Sequence, residues 1–419
     1  MRPRLNPLPG FRYRLSSASD LCSVDDYRRA ARRRLPAMVW AFVEGAAEDH
    51  VTADANRAAF GRWALDTHVL TGHDAQDLEV EVAGRTLSLP VLLAPTGLAG
   101  IAHWSGELGA ARAAERAGTR AIVSSAATYS VEEIADGTHA DHFFQLYPWA
   151  DPAADARALT RSFIARAQRS GYRALVVTAD VPVLGNREAE RRLGMGMPPV
   201  LTPRRVLDGL RHPRWARGFV RHQRFTLKMF DGESSGAAAV RSVERQMRFM
   251  RPEVDWDDFA WTREQWQGPM YLKGVMHPDD AQRAVELGAD GVVVSNHGGR
   301  QLDGALATLD VLPAVVDRIG GRAEILVDGG IRRGADVVKA LCLGATAVCI
   351  GRPYLYGLAV GGQNGVAHVL EILREEISRA LTLMGVADVR SLGRSWLHPA
   401  GHPLEAGERL ILPGQRNDH

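Results

Sequence analysis

The run Ser295-Asn296-His297-Gly298-Gly299-Arg300-Gln301-Leu302-Asp303 places a histidine and an arginine close together with two glycines between them. Histidine can remove a proton near neutral pH. Arginine can hold a carboxylate through two parallel hydrogen bonds. A base beside a carboxylate clamp equips a site for chemistry at the carbon next to a carboxylate. A lone histidine is more often structural, but this one directly follows an apolar run and precedes glycines that would expose it.

A second cluster suits an anion. Asp328-Gly329-Gly330-Ile331-Arg332 and Gly351-Arg352 are two glycine turns that each carry an arginine. Glycine lets backbone N–H groups approach a phosphate closely, and arginine adds a charged fork. One Gly-Gly pair is usually only a turn; two such turns at corresponding places point to phosphate.

Short apolar runs must position these residues. They are Val91-Leu92-Leu93-Ala94, Ala121-Ile122-Val123-Ser124, Phe143-Phe144-Gln145-Leu146 and Ala174-Leu175-Val176-Val177-Thr178, then Met270-Tyr271-Leu272-Lys273, Gly291-Val292-Val293-Val294-Ser295, Glu324-Ile325-Leu326-Val327-Asp328 and Ala347-Val348-Cys349-Ile350. Near-continuous apolar runs fit strands buried on both faces of a parallel sheet. Helical segments alternate with them: 107–117, 278–287 and 334–343 each end at a glycine, Gly118, Gly288 and Gly344. Eight strands alternating with helices predict an α/β fold, a TIM (β/α)8 barrel, over an open doubly wound sheet.

In such a barrel, reactive groups lie at the C-terminal strand ends, and the loops after strands seven and eight bind phosphate. The eight ends supply Thr96 and Gly97, Ser124, Gln145 and Tyr147, Thr178 and Asp180, Lys273, Ser295 through Arg300, Asp328 through Arg332, and Gly351-Arg352. Polar ends on apolar strands are what a lined pocket needs. Taken singly, Asp180 could be a helix cap, Tyr147 barrel-mouth packing and Lys273 part of a structural ion pair.

A chain of 419 residues is long for one domain, but such barrels commonly exceed ~250 residues as a single unit. One domain over 1–419 is expected, with an N-terminal helical segment at 25–75, the barrel at about 90–385 and an insertion at 188–265 after strand four. Residues 25–44 have helical spacing and should pack beside the barrel, and the segment after Ala387 ends in a polar tail. Within the insertion, the stretch RRVLDGLRHPRWARGFVRHQRF alternates arginines with leucines and tryptophan. A solvated excursion and a peripheral membrane contact through 191–224 both fit it.

The net charge of +2, from 51 basic and 49 acidic residues, gives no reason to expect nucleic acid. Cys22, Cys342 and Cys349 form no ligand cluster, and no metal site is expected. The N-terminal arginines lack an apolar stretch behind them, so no secretory signal is expected. The longest apolar stretch is too short to span a bilayer. A cytoplasmic location, with contact to the inner membrane face as its variant, follows.

The motifs LPAMVW (35–40), GAAED (45–49), APTG (94–97), FFQLY (143–147), TADVPVLGNRE (178–188), LKGV (272–275), SNHGGRQLD (295–303), DGGIRRG (328–334) and GRP (351–353) occur in this order. Together they make the chain resemble the FMN-dependent 2-hydroxy acid dehydrogenases and oxidases, the family of glycolate oxidase, lactate oxidase, mandelate dehydrogenase and flavocytochrome b2. The likeness runs from about Leu35 to about Leu397, apart from much of 195–265.

The resemblance implies oxidation of an L-2-hydroxy acid to the 2-oxo acid, with FMN as cofactor. His297 would be the base, oriented by Asp180, with Tyr147 hydrogen-bonded to the substrate oxygen. Arg300 would pair with the carboxylate and Arg187 would be a second, mobile arginine. Lys273 would stabilise negative charge at the flavin N1/O2 edge. Ser124, Gln145 and Thr178 would bond the flavin ring, and the Thr96-Gly97 backbone would approach N5. Ser295 would join the cofactor site, while Asp328, Gly330, Arg332, Gly351 and Arg352 would hold the ribityl chain and phosphate. A homo-oligomer, a tetramer in this family, is implied.

Three positions depart from the family pattern. Phe42 stands where a tyrosine hydroxyl usually helps hold the carboxylate. Losing a hydrogen bond to a charged group costs ~1.5–3 kcal/mol. Ala126 replaces an aromatic residue found in several relatives, which opens the pocket for a bulky or aromatic substrate. Gly97 stands where efficient oxygen users often carry alanine. It favours a dehydrogenase passing electrons to a quinone or protein, with O2 as the other acceptor. Other readings stay open: an FMN oxidase acting on an amine or a larger natural-product or peptide-derived substrate, a non-redox FMN isomerase, and a non-catalytic flavin protein.

Overall fold

The computed structural model describes residues 21–73, 76–148, 155, 157–196, 199–230 and 253–401. Its core is an eight-stranded parallel sheet: β1 (Val91–Leu93), β2 (Ile122–Ser124), β3 (Phe143–Leu146), β4 (Ala174–Thr178), β5 (Met270–Val275), β6 (Gly291–Val294), β7 (Glu324–Asp328) and β8 (Ala347–Ile350). Neighbours in sequence are neighbours in the sheet from β2 to β8, and β8 pairs with β1. A parallel bridge between Leu93 and Ala121 joins β1 to the approach to β2 and closes the ring. The strand bodies are almost wholly buried, because side chains on one face fill the barrel and those on the other meet helices.

The connecting helices end as their glycines require. Gly118, Gly288 and Gly344 all have positive φ, a conformation that glycine adopts at no steric cost after a helix. The helical stretch Arg352–Met384, broken by a kink at Gly362, packs on Gly106–Arg116 and on the N-terminal helix Val24–Arg34. At the N-terminal strand ends lies a hairpin of Val80–Val82 and Arg85–Leu87. Its turn is tied down by the Glu324 carboxylate, which accepts from Ala83 N at 3.1 Å and from the Tyr271 hydroxyl at 2.5 Å.

One expectation is refined and one corrected. The helical spacing over 25–44 belongs to two helices, Val24–Arg34 and Ala37–Glu44. Pro36 disfavours helical backbone at the residue before it, and Leu35 is extended at φ −97°, ψ 142°. The segment 25–75 is helical only as far as Arg62, after Val51–Ala58 and a short 3-10 turn; Trp63–Leu65 is a strand paired with Leu397–Pro399.

The insertion has structure of its own in Glu188–Arg192, Pro203–Leu210, Pro213–His222 and Trp256–Gln265. The aromatic half of its basic stretch faces inward. Trp215 donates to the Ile101 carbonyl at 2.7 Å, and Phe219 stacks between Trp215 and Phe225. Val206, Leu207, Leu210 and Val220 face outward and are about half exposed or more. Among the described residues, no helix is long and apolar enough to cross a membrane.

Candidate active site

The C-terminal strand ends surround an open cleft. Histidine 297 lines it in the left-handed region at φ 57°. Such backbone is unusual for a residue with a Cβ, and it turns the chain sharply off β6. The His297 Nδ1 lies 2.9 Å from Asp180 Oδ1. With Nδ1–H donated to that carboxylate, Nε2 keeps its lone pair. Burial holds the imidazole below its ordinary pKa, helped by Lys273 and Arg187 and opposed by Asp180. Burial works against ionisation of Asp180, yet its contact with His297 and the charge at Lys273 bring its carboxyl below the usual value. The pair is therefore a neutral imidazole on an ionised carboxylate at neutral pH.

Asp180 can reach this position because β5 is irregular at Gly274. A Cβ at Gly274 would lie 2.6 Å from the Asp180 Cβ, and its φ is +103°. The β5–β6 register slips at this point.

Arg300 is held on three sides. Its Nη1 donates to the carbonyls of Phe42 at 3.0 Å and Gly45 at 2.7 Å, and its Nη2 donates to Glu190 Oε1 at 2.8 Å. The Phe42 ring lies under the guanidinium, 5.3 Å from centroid to carbon. Phe42 thus supports the arginine through its carbonyl and its ring face. Glu190 was not among the residues singled out in the sequence. The signal was present, since it falls in the first turn of a helix that opens right after Arg187.

Arg187 is anchored in this structure. It donates to the Arg300 carbonyl at 3.2 Å and to Gln301 Oε1 at 3.0 Å. Burial and the neighbouring Arg300 bring its pKa down to about 10, still charged at neutral pH. Tyr147 lines the same cleft, and burial with Asp180 nearby pushes its hydroxyl up to about 12, so it stays a donor. Ala126 and Gly97 face each other across one wall; a Cβ at position 97 would sit 3.1 Å from the Ala126 Cβ.

The other end of the cleft is polar and cationic. Lys273 Nζ donates to Ser295 Oγ at 2.7 Å and lies 3.1 Å from Asp328 Oδ2, while Ser295 donates to Asp328 Oδ1 at 2.8 Å. Burial opposes the Lys273 charge, but Asp328 and Asp180 outweigh it and its pKa is raised. Thr96 bonds the Tyr354 hydroxyl. Thr96, Gly330, Arg332, Gly351 and Arg352 line the cleft. Ser124 stands one step behind it, donating to Gln145 Oε1 at 2.9 Å, and Thr178 pairs in register with Lys273.

Nine buried side-chain atoms lack a hydrogen-bond partner among the described residues, and five belong here: Gln145 Nε2, Thr178 Oγ1, Asp180 Oδ2, Arg332 Nε and Arg352 Nε. Each such group left unpaired costs about 1–3 kcal/mol. Their concentration at one end of the barrel fits a bound polar ring and a phosphate.

The motif around His297 also builds the scaffold. Asn296 and Asn56 exchange side-chain hydrogen bonds at 2.8 and 2.9 Å. The Asp303 carboxylate accepts from the N–H groups of Asp49, Val51 and Thr52, capping helix Val51–Ala58. These residues pin the N-terminal segment over the site.

A family model described as FMN-dependent dehydrogenase matches residues 31–399. An L-lactate oxidase from a Nostoc species is 40% identical over 390 residues, covering 92% of this chain and 100% of the relative. An (S)-mandelate dehydrogenase from Pseudomonas putida is 38% identical over 388 residues, covering 92% and 95%. A crystal structure of the monotopic membrane protein (S)-mandelate dehydrogenase superposes with a TM-score of 0.86 at 39% identity, covering 91% of this chain and 100% of that one. The chain belongs to the family of FMN-dependent 2-hydroxy acid dehydrogenases and oxidases.

Proposed function

We propose that this protein uses FMN to oxidise a 2-hydroxy acid with a bulky or aromatic side chain to the 2-oxo acid, with His297 as the base. The observation that carries this reading is the His297–Asp180 pair at 2.9 Å in one cleft with Arg300 and Arg187. The substrate carboxylate docks on the Nε side of Arg300, since Nη1 is committed to two carbonyls and Nη2 to Glu190. Arg187 adds the second cation. The Tyr147 hydroxyl donates to the substrate oxygen. His297 Nε2 takes the proton, and Asp180 stabilises the imidazolium that results.

The orphaned donors of Arg332 and Arg352, with the backbone at Gly330 and Gly351, would hold the FMN phosphate; Asp328 would take the ribityl hydroxyls. Gln145, Thr178 and Lys273, backed by Ser124 and Ser295, would bind the ring edges, with Thr96 and Gly97 beside it. FMN, when bound, supplies the acceptor for the two electrons removed from the substrate carbon.

Under anaerobic conditions, aromatic 2-hydroxy acids such as mandelate are expected to bleach the flavin absorbance rapidly, and glycolate slowly. A second reading keeps FMN and exchanges the acid for an amine or a larger natural-product or peptide-derived compound. Glu190 favours it, because an internal carboxylate already holds one edge of Arg300, as does the missing hydroxyl at Phe42. Bleaching by amines, with none by any hydroxy acid, would decide for that reading.

The outward face of 203–222 supports peripheral membrane binding. Val206, Leu207, Leu210 and Val220 are exposed among Arg204, Arg205, Arg211, Arg214, Arg217 and Arg221. Apolar side chains would enter the headgroup layer while the arginines meet anionic lipid. The electron acceptor is then a membrane quinone. The FMN-loaded protein is expected to sediment with anionic vesicles at low salt and to release at high salt. The Leu207→Glu/Leu210→Glu variant is expected to bind at least ~10-fold more weakly, since burying each leucine contributes up to ~1.5–3 kcal/mol. It should keep its activity with a soluble dye. Equal sedimentation of the variant would overturn this surface.

A further inference from the structure

We propose that Gln301 is a positioning residue that couples the anion site to the base. The inference rests on the functional reading above. Every hydrogen-bonding site of its amide is used. Nε2 donates to the carbonyls of Asp180 at 2.9 Å and Val183 at 2.8 Å. Oε1 accepts from Gly185 N at 3.3 Å and from Arg187 Nη2 at 3.0 Å. Two carbonyls on one side and two N–H groups on the other leave only one orientation of the amide that satisfies them all.

These partners span the loop after β4, which carries Asp180 at its start and Arg187 at its end. Gln301 itself follows Arg300 in the run that begins with the base. Among the described residues, the main chain of 181–185 hydrogen-bonds to no other side chain. The two segments also touch directly. A Cβ at Gly185 would lie 2.3 Å from the Arg300 carbonyl oxygen. One neutral side chain therefore sets the spacing between His297 and Asp180 and the spacing between Arg300 and Arg187. A half-buried amide with all its sites paired is costly to move, because any shift strands several partners at once.

Gln301→Met keeps the length and removes all four bonds. The test compares FMN-loaded wild type, Gln301→Met, Arg187→Met and the double variant. Oxalate serves as a probe of the anion site, followed by the change it causes in the flavin absorbance, so no turnover is needed. Gln301→Met is expected to raise the oxalate Kd about tenfold or more, the effect of a lost hydrogen bond to a charged group. In the Arg187→Met background the same substitution is expected to change Kd less than about twofold, because the arginine it positions is gone. With a hydroxy acid substrate, Gln301→Met should also lower kcat and displace its acid limb, and this part should persist without Arg187, because it acts through the Asp180 loop. Flavin content should stay at the wild-type level throughout.

Additive losses of oxalate affinity, or an unchanged Kd with only a lowered melting temperature, would overturn the proposal and leave Gln301 a structural residue. If the wild type bound oxalate but no hydroxy acid bleached its flavin, the substrate reading would fail while the coupling of Gln301 to Arg187 stood. A wild type that did not bind oxalate would sink the anion site and the coupling together.

Discussion

His297→Gln is expected to bind flavin like the wild type and to bleach it with substrate about 10²- to 10⁴-fold more slowly, the usual contribution of a positioned general base. Glutamine fills similar space but has no basic nitrogen. The prediction separates two roles for the residue. The proposed FMN site comprises Gln145, Thr178, Lys273, Arg332 and Arg352, whose unpaired or charged groups stay in place without the imidazole. A flavin-loaded variant that turned over at the wild-type rate would remove His297 from the mechanism. The same pair sets the pH profile. The active form is the neutral imidazole, and burial together with Lys273 and Arg187 holds its pKa below the ordinary histidine value despite Asp180. Activity is therefore expected to be level through neutral pH and to fall only as pH drops through that lowered value. An acid limb centred above pH 7 would contradict this arrangement.

Arg300→Met is expected to cost both binding and stability, the second by about 3–5 kcal/mol in urea unfolding, because it leaves a buried carboxylate without its partner. Glu190 is that carboxylate, 8% exposed in its side chain and 2.8 Å from the guanidinium. The loss should appear as a lower urea midpoint, and the KM for a hydroxy acid should rise by about tenfold or more as its charged anchor disappears. Adding Glu190→Met is expected to recover much of the stability, since a buried ion pair exchanged for apolar groups is often neutral. Recovery should be incomplete, because the carbonyls of Phe42 and Gly45 also lose their donor. The double variant should recover no substrate binding. A single variant as stable as the wild type would show that the Glu190 carboxylate finds water or another partner in solution.

These outcomes turn on features of different origin. The eight strands and their order were legible from residue types alone, because a strand buried on both faces must be apolar along its whole length. The helix ends at Gly118, Gly288 and Gly344 were legible for the same local reason, since a positive φ after a helix selects glycine. The break at Leu35-Pro36 was equally local, but the helical spacing on both sides masked it. His297, Asp180, Arg300 and Arg187, which the structure brings together, could be picked out because they stand past strand ends, and strand ends are visible in the chain.

What the sequence could not specify was which of these groups meet. Glu190 and Arg300 are far apart in the chain, as are Gln301 and the loop 180–187, Asn56 and Asn296, and Leu93 and Ala121 at the barrel seam. The basic insertion showed its alternation in sequence, but packing decided that Trp215 turns inward while Leu207 and Leu210 stay outside. Local pattern records what each residue needs from its immediate neighbours in the chain. Closure of the barrel determines which distant segments share a cleft, and there burial makes an unpaired charge or amide so costly that each must find a particular partner.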